Sequence, residues 1–216
     1  ATRLVSQPVI AVNRFEADLQ KPAALKIKTK LSDVPVIEVI DGQLVTNKYM
    51  WQPELDSDGF IKTNLDEDIL KIAVLNRYSI SQPAVALIRN FGLKEGAIAS
   101  SVAHDSHNIV AVGASDESLA RAFNLIIENK GGISAVTNTH EHILPLPVAG
   151  IMSDNDAFAI GKQYGKMDDL AKKMGSQLSA PYMTLSFMAL LVIPDIKLSD
   201  KGLFDGETFE FMDVYE

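Results

Sequence analysis

The densest cluster of potentially reactive side chains is the segment Ala103-His-Asp-Ser-His-Asn108, which lies between two apolar stretches. Loops that follow strands are common positions for functional groups. His104 and His107 could bind a metal ion, act as acid and base, or form hydrogen bonds to a heterocycle. A polar turn in which Asp105 and Asn108 satisfy backbone amides explains the same residues. As a metal site the segment is weak, because a complete site needs three or four ligands.

A second histidine pair occurs in Thr139-His-Glu-His142, with the H-x-H spacing that metal-dependent hydrolases use at the end of a barrel strand. His140 and His142 lie at the tip of a predicted hairpin, however, so an exposed turn is the favoured interpretation. The sequence contains no G-x-G-x-x-G or G-x-x-x-x-G-K-[ST] phosphate-binding pattern and no G-x-S-x-G nucleophile motif. The acids of Asp56-Ser-Asp-Gly59 do not have EF-hand spacing.

Short apolar segments bounded by glycine, proline or polar residues predict the strands that position these loops. Asp41-Gly42 predicts a hairpin between two of them. Residues 52–66 are acidic and predict a loop. The predicted strands are 25–31, 36–40, 43–46, 69–76, 84–89, 97–101, 108–113, 133–137 and 142–146.

Two helices are predicted. Ser115 and the two acids that follow it favour a helix start, and Gly131-Gly132 favours its end. Apolar residues three or four apart predict a second helix over about 155–174. We expect the apolar stretch 183–191 to pack in the core. Because helices and strands do not alternate regularly, the predicted fold is α+β (mixed α/β). It is a strand-rich sheet domain with two to three helices, not a complete βα barrel.

The composition is that of a globular protein: 216 residues, 47% hydrophobic and 22% charged. A net charge of −8 argues against a general nucleic-acid binder or membrane-surface protein. No apolar run reaches the roughly 20 residues that cross a bilayer. The absence of cysteine excludes disulfides and thiolate zinc sites and fits a cytoplasmic protein. We expect residues 1–35 to be an irregular segment with one strand, connecting the domain 36–216 to an N-terminal region that the chain lacks.

The string Asn90-Phe-Gly-Leu-Lys-Glu-Gly-Ala-Ile-Ala-Ser-Ser-Val-Ala-His-Asp-Ser-His-Asn-Ile-Val-Ala-Val-Gly113 resembles the C-terminal domain of bacterial adenine deaminases of the amidohydrolase type. The resemblance covers about residues 36–214. Further matching segments, in the family's order, are Asp41-Gly-Gln-Leu-Val-Thr46, Asp68-Ile-Leu-Lys-Ile-Ala73, Leu144-Pro-Leu-Pro-Val-Ala-Gly-Ile-Met-Ser-Asp154, Pro181-Tyr-Met-Thr-Leu-Ser-Phe187, Val192-Ile-Pro-Asp-Ile-Lys-Leu198 and Asp200-Lys-Gly-Leu-Phe-Asp205.

The resemblance implies hydrolytic deamination of adenine to hypoxanthine and ammonia, a reaction of purine salvage. In this family an N-terminal metal-dependent βα barrel holds manganese or iron, which lowers the pKa of a bound water and delivers hydroxide to the purine. No barrel is predicted in this chain, so we expect no metal ligands and no cofactor in it. The implied partners are adenine, the barrel domain and further copies of the chain in a homo-oligomer, with neither nucleic acid nor membrane.

The resemblance further implies which residues contact the substrate. The loop matches the family string residue by residue, so we expect it to face the barrel mouth and bind the purine through His104, Asp105, Ser106, His107 and Asn108. We expect His140 and His142 to fall in a variable hairpin of the family, which supports the exposed turn.

One departure affects the expected activity. After Lys71-Ile-Ala-Val-Leu75 the family usually has Glu-Arg-His, whereas this chain has Asn76-Arg77-Tyr78. An altered substrate and a benign replacement both remain open. Two alternatives to the deaminase also remain: a free-standing, non-catalytic domain that binds a purine or a partner, and an oligomerisation module that associates through residues 183–191. We expect this chain alone to be inactive.

Overall fold

The computed structural model describes residues 12–215. In that range, a sheet of eight strands, a sheet of three strands and three α-helices confirm the predicted α+β class, without a closed barrel. The helices are α1 (Asp116–Glu128), α2 (Ala157–Lys173) and α3 (Pro181–Phe187). The strands are β1 (Val34–Val39), β2 (Thr46–Trp51), β3 (Leu70–Leu75), β4 (Ala84–Arg89), β5 (Ala97–Ser100), β6 (Ile109–Gly113), β7 (Gly132–Val136), β8 (Glu141–Pro145), β9 (Ile196–Ser199), β10 (Gly202–Asp205) and β11 (Glu210–Met212).

The large sheet has the strand order β2-β1-β4-β3-β6-β5-β7-β8. Its neighbouring strands are antiparallel except for β1 and β4, which are parallel. The small sheet has the order β11-β10-β9 and packs against β2, β3 and β4. The six strands predicted between residues 69 and 146 are all present, and each end agrees to within one residue.

Both faces of the central strands are covered, because every residue of β3, β5, β6 and β7 is buried. Helix α1 lies on one face, where Ser134 Oγ donates to the carbonyl oxygen of Ala122 at 2.8 Å. Successive residues of a strand point to opposite faces. The neighbouring Ile133 accordingly lines a cavity together with residues of α2 and α3, so these two helices cover the other face.

Helix α1 begins as the sequence predicts. Ser115 Oγ accepts a hydrogen bond from Ser118 N at 3.2 Å, and Asp116 and Glu117 occupy the first turn. Asp116 also forms a largely buried ion pair with β3, since Lys71 Nζ lies 2.6 Å from its Oδ1 atom. Burial raises the pKa of the Asp116 carboxyl group, and the Lys71 ammonium opposes that rise.

The predicted strand 25–31 is wrong. The chain forms a 3-10 turn at Pro22–Leu25 and then an extended segment that pairs with no strand of the sheet. Ile27 is buried and its carbonyl oxygen accepts from Ile61 N, so the apolar–basic alternation reports burial without strand pairing. Lys26 and Lys28 place their ammonium groups over the Phe60 ring, 4.9 and 4.4 Å from its centroid. The first eleven residues of the expected irregular segment lie outside the described residues.

The hairpin around Asp41-Gly42 is confirmed, but its second strand starts at Thr46 and not at residue 43. The reason is a tertiary contact: the carbonyl oxygen of Leu44 accepts from Lys197 Nζ at 2.9 Å. Thr46 N donates to Pro194 O at 3.0 Å, which ties the start of β2 to the segment before β9.

The sequence predicted neither α3 nor the small sheet. Helix α3 starts with Pro181 at its first position, where a missing amide proton costs nothing. Leu185 and Met188 are fully buried, which confirms that much of the apolar stretch 183–191 packs in the core. No helix within residues 12–215 has the length and apolarity to span a membrane.

Lys197 is buried completely between the two sheets. Its ammonium group donates to Leu44 O and, at 3.2 Å, to Thr46 Oγ1, but it forms no ion pair among the described residues. Burial lowers the pKa of Lys197 from 10.5 to about 8, with a smaller opposing effect of Asp195. The folded chain therefore binds fewer protons than the unfolded chain between about pH 8 and pH 10.5.

We predict that the free energy of unfolding rises with pH across this window because of Lys197. Below about pH 8 the full desolvation cost of the ammonium is present, and it disappears as the unfolded-state lysine deprotonates near pH 10.5. We expect the free energy of unfolding to rise by about 3 kcal/mol across this window. It can be measured by urea unfolding at a series of pH values, and Lys197→Met should flatten the curve.

The control is Lys62→Met, which removes an exposed lysine and should leave the wild-type slope intact. Equal slopes for the wild-type chain and Lys197→Met would show that Lys197 does not titrate in this window.

Candidate functional site

The His104–Asn108 segment forms the connection between the adjacent antiparallel strands β5 and β6. Its backbone is fixed by internal bonds, since His107 N donates to Ala103 O at 2.8 Å. It is also fixed by α3, because His104 N donates to Ser186 O at 3.1 Å. Asp105 and His107 have φ angles of 68° and 49°, in the left-handed region. For a residue other than glycine this conformation costs about 1 kcal/mol or more, so tertiary contacts hold the turn in its shape.

His104 points its ring into the protein. The ring packs on Phe187 of α3, with 4.1 Å between centroids and 33° between the ring planes, and it lines a partly open cavity between the sheet, α2 and α3. Its Nε2 atom is buried and has no hydrogen-bond partner. An unpaired buried nitrogen is costly, so this atom is a candidate to bind a ligand.

His107 and Asn108 differ in their availability. Asn108 is buried, and its Oδ1 atom accepts a weak hydrogen bond from Arg77 N at 3.4 Å, which ties the loop to the end of β3. His107 is half-buried, and its Nδ1 atom has no partner. His107 therefore keeps a buried ring nitrogen without a partner, whereas the side-chain oxygen of Asn108 is already bonded within the fold.

Asp105 and Ser106 are exposed on the other side of the turn. They line an open groove of about 450 Å³, whose apolar wall comes from the small sheet and includes Phe204, Phe209 and Phe211. The five predicted site residues thus do not converge on one point within this chain. His104 lines the partly open cavity, while Asp105 and Ser106 line the groove.

Arg77 is a functional candidate that the sequence analysis did not single out. Its side chain is only 4% exposed, yet its Nε and Nη1 atoms have no hydrogen-bond partner and it pairs with no carboxylate within residues 12–215. Its guanidinium carbon lies 4.7 Å from the Tyr78 ring centroid and 5.8 Å from that of Phe15. An arginine directly after a buried strand, with no acid next to it, is the sequence signal that could have identified it.

Tyr78 connects Arg77 to the loop. Its hydroxyl accepts from Arg77 Nη2 at 2.9 Å and donates to the carbonyl oxygen of Ser106 at 3.1 Å. Gly150 leaves room for this arrangement, because a Cβ atom there would lie 1.9 Å from Arg77 Nη1. Tyr78, the residue that departs from the pattern Glu-Arg-His, is therefore a positioning residue for the loop in this chain.

Both histidines of the second pair are exposed, as predicted, with His140 in the turn between β7 and β8 and His142 on β8 itself. His140, Glu141 and His142 are all exposed, and Glu141 forms a bidentate ion pair with Arg121 at 2.7 and 2.8 Å. The two imidazole centroids are 6.4 Å apart. Nowhere in residues 12–215 do three His, Cys, Asp or Glu side chains come close enough together to hold a metal ion.

Comparison with known proteins gives a consistent result. The profile of the family described as "Adenine deaminase C-terminal domain" matches residues 43–210. The adenine deaminase of Salinibacter ruber is 49% identical over 206 residues, which is 94% of this chain and 37% of that protein. Those of Borreliella afzelii and Methanosarcina acetivorans are 47% and 46% identical, over 94% and 87% of this chain and 37% and 34% of their own lengths. The chain thus spans little more than a third of these relatives.

We predict that Tyr78→Phe loosens the loop. The substitution keeps the ring beside Arg77 and removes the hydroxyl that joins Arg77 to Ser106, so one end of the loop loses its support. We expect the free energy of unfolding to fall by about 1 kcal/mol. Amide hydrogen exchange at His107 should become faster, as NMR can measure.

Tyr49→Phe is the matched control, since Tyr49 also packs beside an arginine, Arg89, but its hydroxyl forms no hydrogen bond within residues 12–215. Its effect should stay within about 0.5 kcal/mol. If both variants exchange at the wild-type rate at His107, Tyr78 does not hold the loop.

Proposed function

The chain belongs to the adenine deaminase C-terminal domain family, and we propose that it forms the C-terminal part of an enzyme that hydrolyses adenine to hypoxanthine and ammonia. The observation that carries the proposal is the family match over residues 43–210, which includes the whole loop between β5 and β6. The three relatives named above are all adenine deaminases, and this chain aligns with only 34–37% of their lengths. The reaction is therefore proposed for the longer protein.

The side chains of this chain indicate which domain of the proposed enzyme would hold the metal ion. The described residues do not fit a metal ion, so we assign the manganese or iron centre and its ligands to an N-terminal barrel domain. Such a metal makes a bound water nucleophilic at neutral pH. No step of that chemistry can be assigned to residues 12–215.

We propose that the loop of His104, Asp105, Ser106, His107 and Asn108 contacts the substrate. Because these residues face different sides of the turn, one base would touch only part of the set. Adenine presents ring nitrogens and an amino group at its edge, and these residues offer matching donors and acceptors. Contacts within the chain fix the shape of the loop, since α3 and Tyr78 hold it from two sides. Such preorganisation lowers the entropy lost on binding. His107 is the strongest candidate, because its Nδ1 atom has no partner in this chain.

The remaining partners follow from the same assignment. We propose adenine as the small-molecule ligand, the barrel domain as the partner that the loop faces, and a cytoplasmic location. A homo-oligomer remains a prediction, for which the exposed aromatic side chains Phe209 and Phe211 are a suitable contact surface.

The decisive experiment joins this chain to the N-terminal region of the Salinibacter ruber enzyme in place of its matching segment. We expect the joined protein, loaded with manganese, to release ammonia from adenine, whereas the chain alone does not. His107→Ala should lower kcat/KM by about tenfold or more through a lost hydrogen bond to the purine.

His140→Ala is the matched control, because it removes an imidazole from the exposed hairpin tip. It should leave kcat and KM unchanged. A His107→Ala enzyme with wild-type kcat and KM would contradict the role of His107. A folded, metal-loaded hybrid that does not deaminate adenine, beside an active parent enzyme, would contradict the proposed reaction.

A further inference from the structure

The two exposed histidines of the β7–β8 hairpin have a spacing that suits a shared metal ion. Thr137 N donates to His140 O at 2.9 Å, so the ladder between β7 and β8 continues as far as His140. His140 and His142 therefore lie on the same face of the hairpin, with their ring centroids 6.4 Å apart. Tetrahedral zinc, with bonds of about 2.0–2.1 Å to nitrogen, places two bound imidazole centroids about 5 Å apart. Small rotations of these exposed side chains close the difference.

The surroundings of the pair leave both rings accessible. Thr139 Oγ1 lies 2.7 Å from His140 Nδ1. A histidine that donates its Nδ1 proton to such a neighbour presents the lone pair of Nε2 to a metal ion. Lys166 of α2 lines the same surface pocket as His142, and its exposed side chain has room to turn the ammonium group into water. The face that carries the two imidazoles is therefore open to a cation.

One chain supplies only two ligands, which is half of the set that a structural zinc ion needs. Glu141 is not a third ligand, because it points to the opposite face and forms its bidentate ion pair with Arg121 there. The hydrogen bonds from Arg121 lower the pKa of the Glu141 carboxyl group and keep it charged. No cluster of three ligand side chains occurs in residues 12–215, so the remaining ligands must come from outside the chain.

The position of β8 in the sheet indicates where those ligands come from. Strand β8 is at the edge of the large sheet, and among residues 12–215 only β7 pairs with it. In an antiparallel ladder, alternate residues direct their backbone groups to the neighbouring strand. His140 bonds toward β7, so Glu141 and Ile143 direct their N–H and C=O groups to the open edge. An open edge of this kind is a template for a strand of another chain.

A second copy of β8 fits this edge and completes the ligand set. A two-fold axis at Glu141 gives an antiparallel register in which His140 of each copy lies opposite His142 of the other. Opposite residues in such a pair have Cβ atoms about 4.5–5.5 Å apart and share one face. Four imidazoles then surround one point. Without a metal ion the two Glu141 carboxylates face each other, and like charges in opposite positions disfavour pairing.

We propose that the β7–β8 hairpin is a zinc-dependent dimerisation site, in which His140 and His142 of two copies hold one Zn²⁺ ion. The site is separate from the loop assigned to the substrate. Val136, beside the hairpin tip, pairs with Ala97 at the start of β5, whereas that loop follows the end of β5 at Ser100. The zinc ion has a structural role here, and the inference does not rest on the proposed reaction.

The experiment removes metal ions from the chain with EDTA, exchanges the chain into metal-free buffer and adds zinc chloride. We expect zinc to double the mass measured by light scattering, with one zinc ion bound per two chains by calorimetry. Amide hydrogen exchange at Glu141 and Ile143 should slow when zinc is added, because these amides become paired. His140→Ala and His142→Ala should each raise the zinc concentration needed for half-maximal assembly by about tenfold or more, since loss of a partner of a ligand already costs about that much.

His107→Ala is the matched control, because it removes an imidazole from the loop at the other end of the sheet and should assemble with zinc like the wild-type chain. Circular dichroism of every variant establishes that lost assembly is not lost folding. The proposal is overturned if a large molar excess of zinc leaves the mass of the folded chain unchanged, or if both hairpin variants assemble like the wild type. A zinc-linked dimer whose Glu141 amide exchanges as fast as in the metal-free chain would overturn the pairing of the two β8 strands.

Discussion

The structure depends on the burial of both faces of one sheet. The strands β3, β5, β6 and β7 have no exposed residue, so each face needs a covering layer that removes its apolar side chains from water. The three helices cover β5, β6 and β7, with α1 on one face and α2 and α3 on the other, and the small sheet packs against β3. The need for α3 in turn places Ser186 and Phe187 against the turn between β5 and β6, and this contact gives the loop its shape.

Within the site, the distribution of hydrogen bonds separates structural from functional atoms. Native proteins leave few buried polar groups unpaired, since each one costs about 1–3 kcal/mol. Asn108 satisfies its side-chain oxygen within the fold. His104, His107 and Arg77 keep buried nitrogen atoms without partners, and these three residues lie on or beside the loop. Their concentration at one end of β3, β5 and β6 is the strongest physical indication that something binds there.

The same atoms indicate which kind of site this fold provides. Rigid loops on a packed scaffold position contact groups well, whereas a reactive metal centre needs several ligands converging on one point. Residues 12–215 provide such a loop, but they contain no group of three or more side chains that could hold a metal ion. Tyr78 supports the loop through its hydroxyl, which joins the Arg77 guanidinium to the carbonyl oxygen of Ser106.

The sequence by itself determined the strands between residues 69 and 146, the cap of α1 at Ser115, the α+β class and the family. Those features depend on local periodicity, caps and a long string of matching residues, which need no knowledge of distant contacts. Only the tertiary structure decided that segment 25–31 is not a strand, that Lys197 moves the start of β2, and that β9–β11 form a second sheet. The tertiary structure also decided that His104 lines a cavity, whereas Asp105 and Ser106 line a groove. Periodicity reports which side chains are buried, but their partners are set by chain segments far apart in sequence.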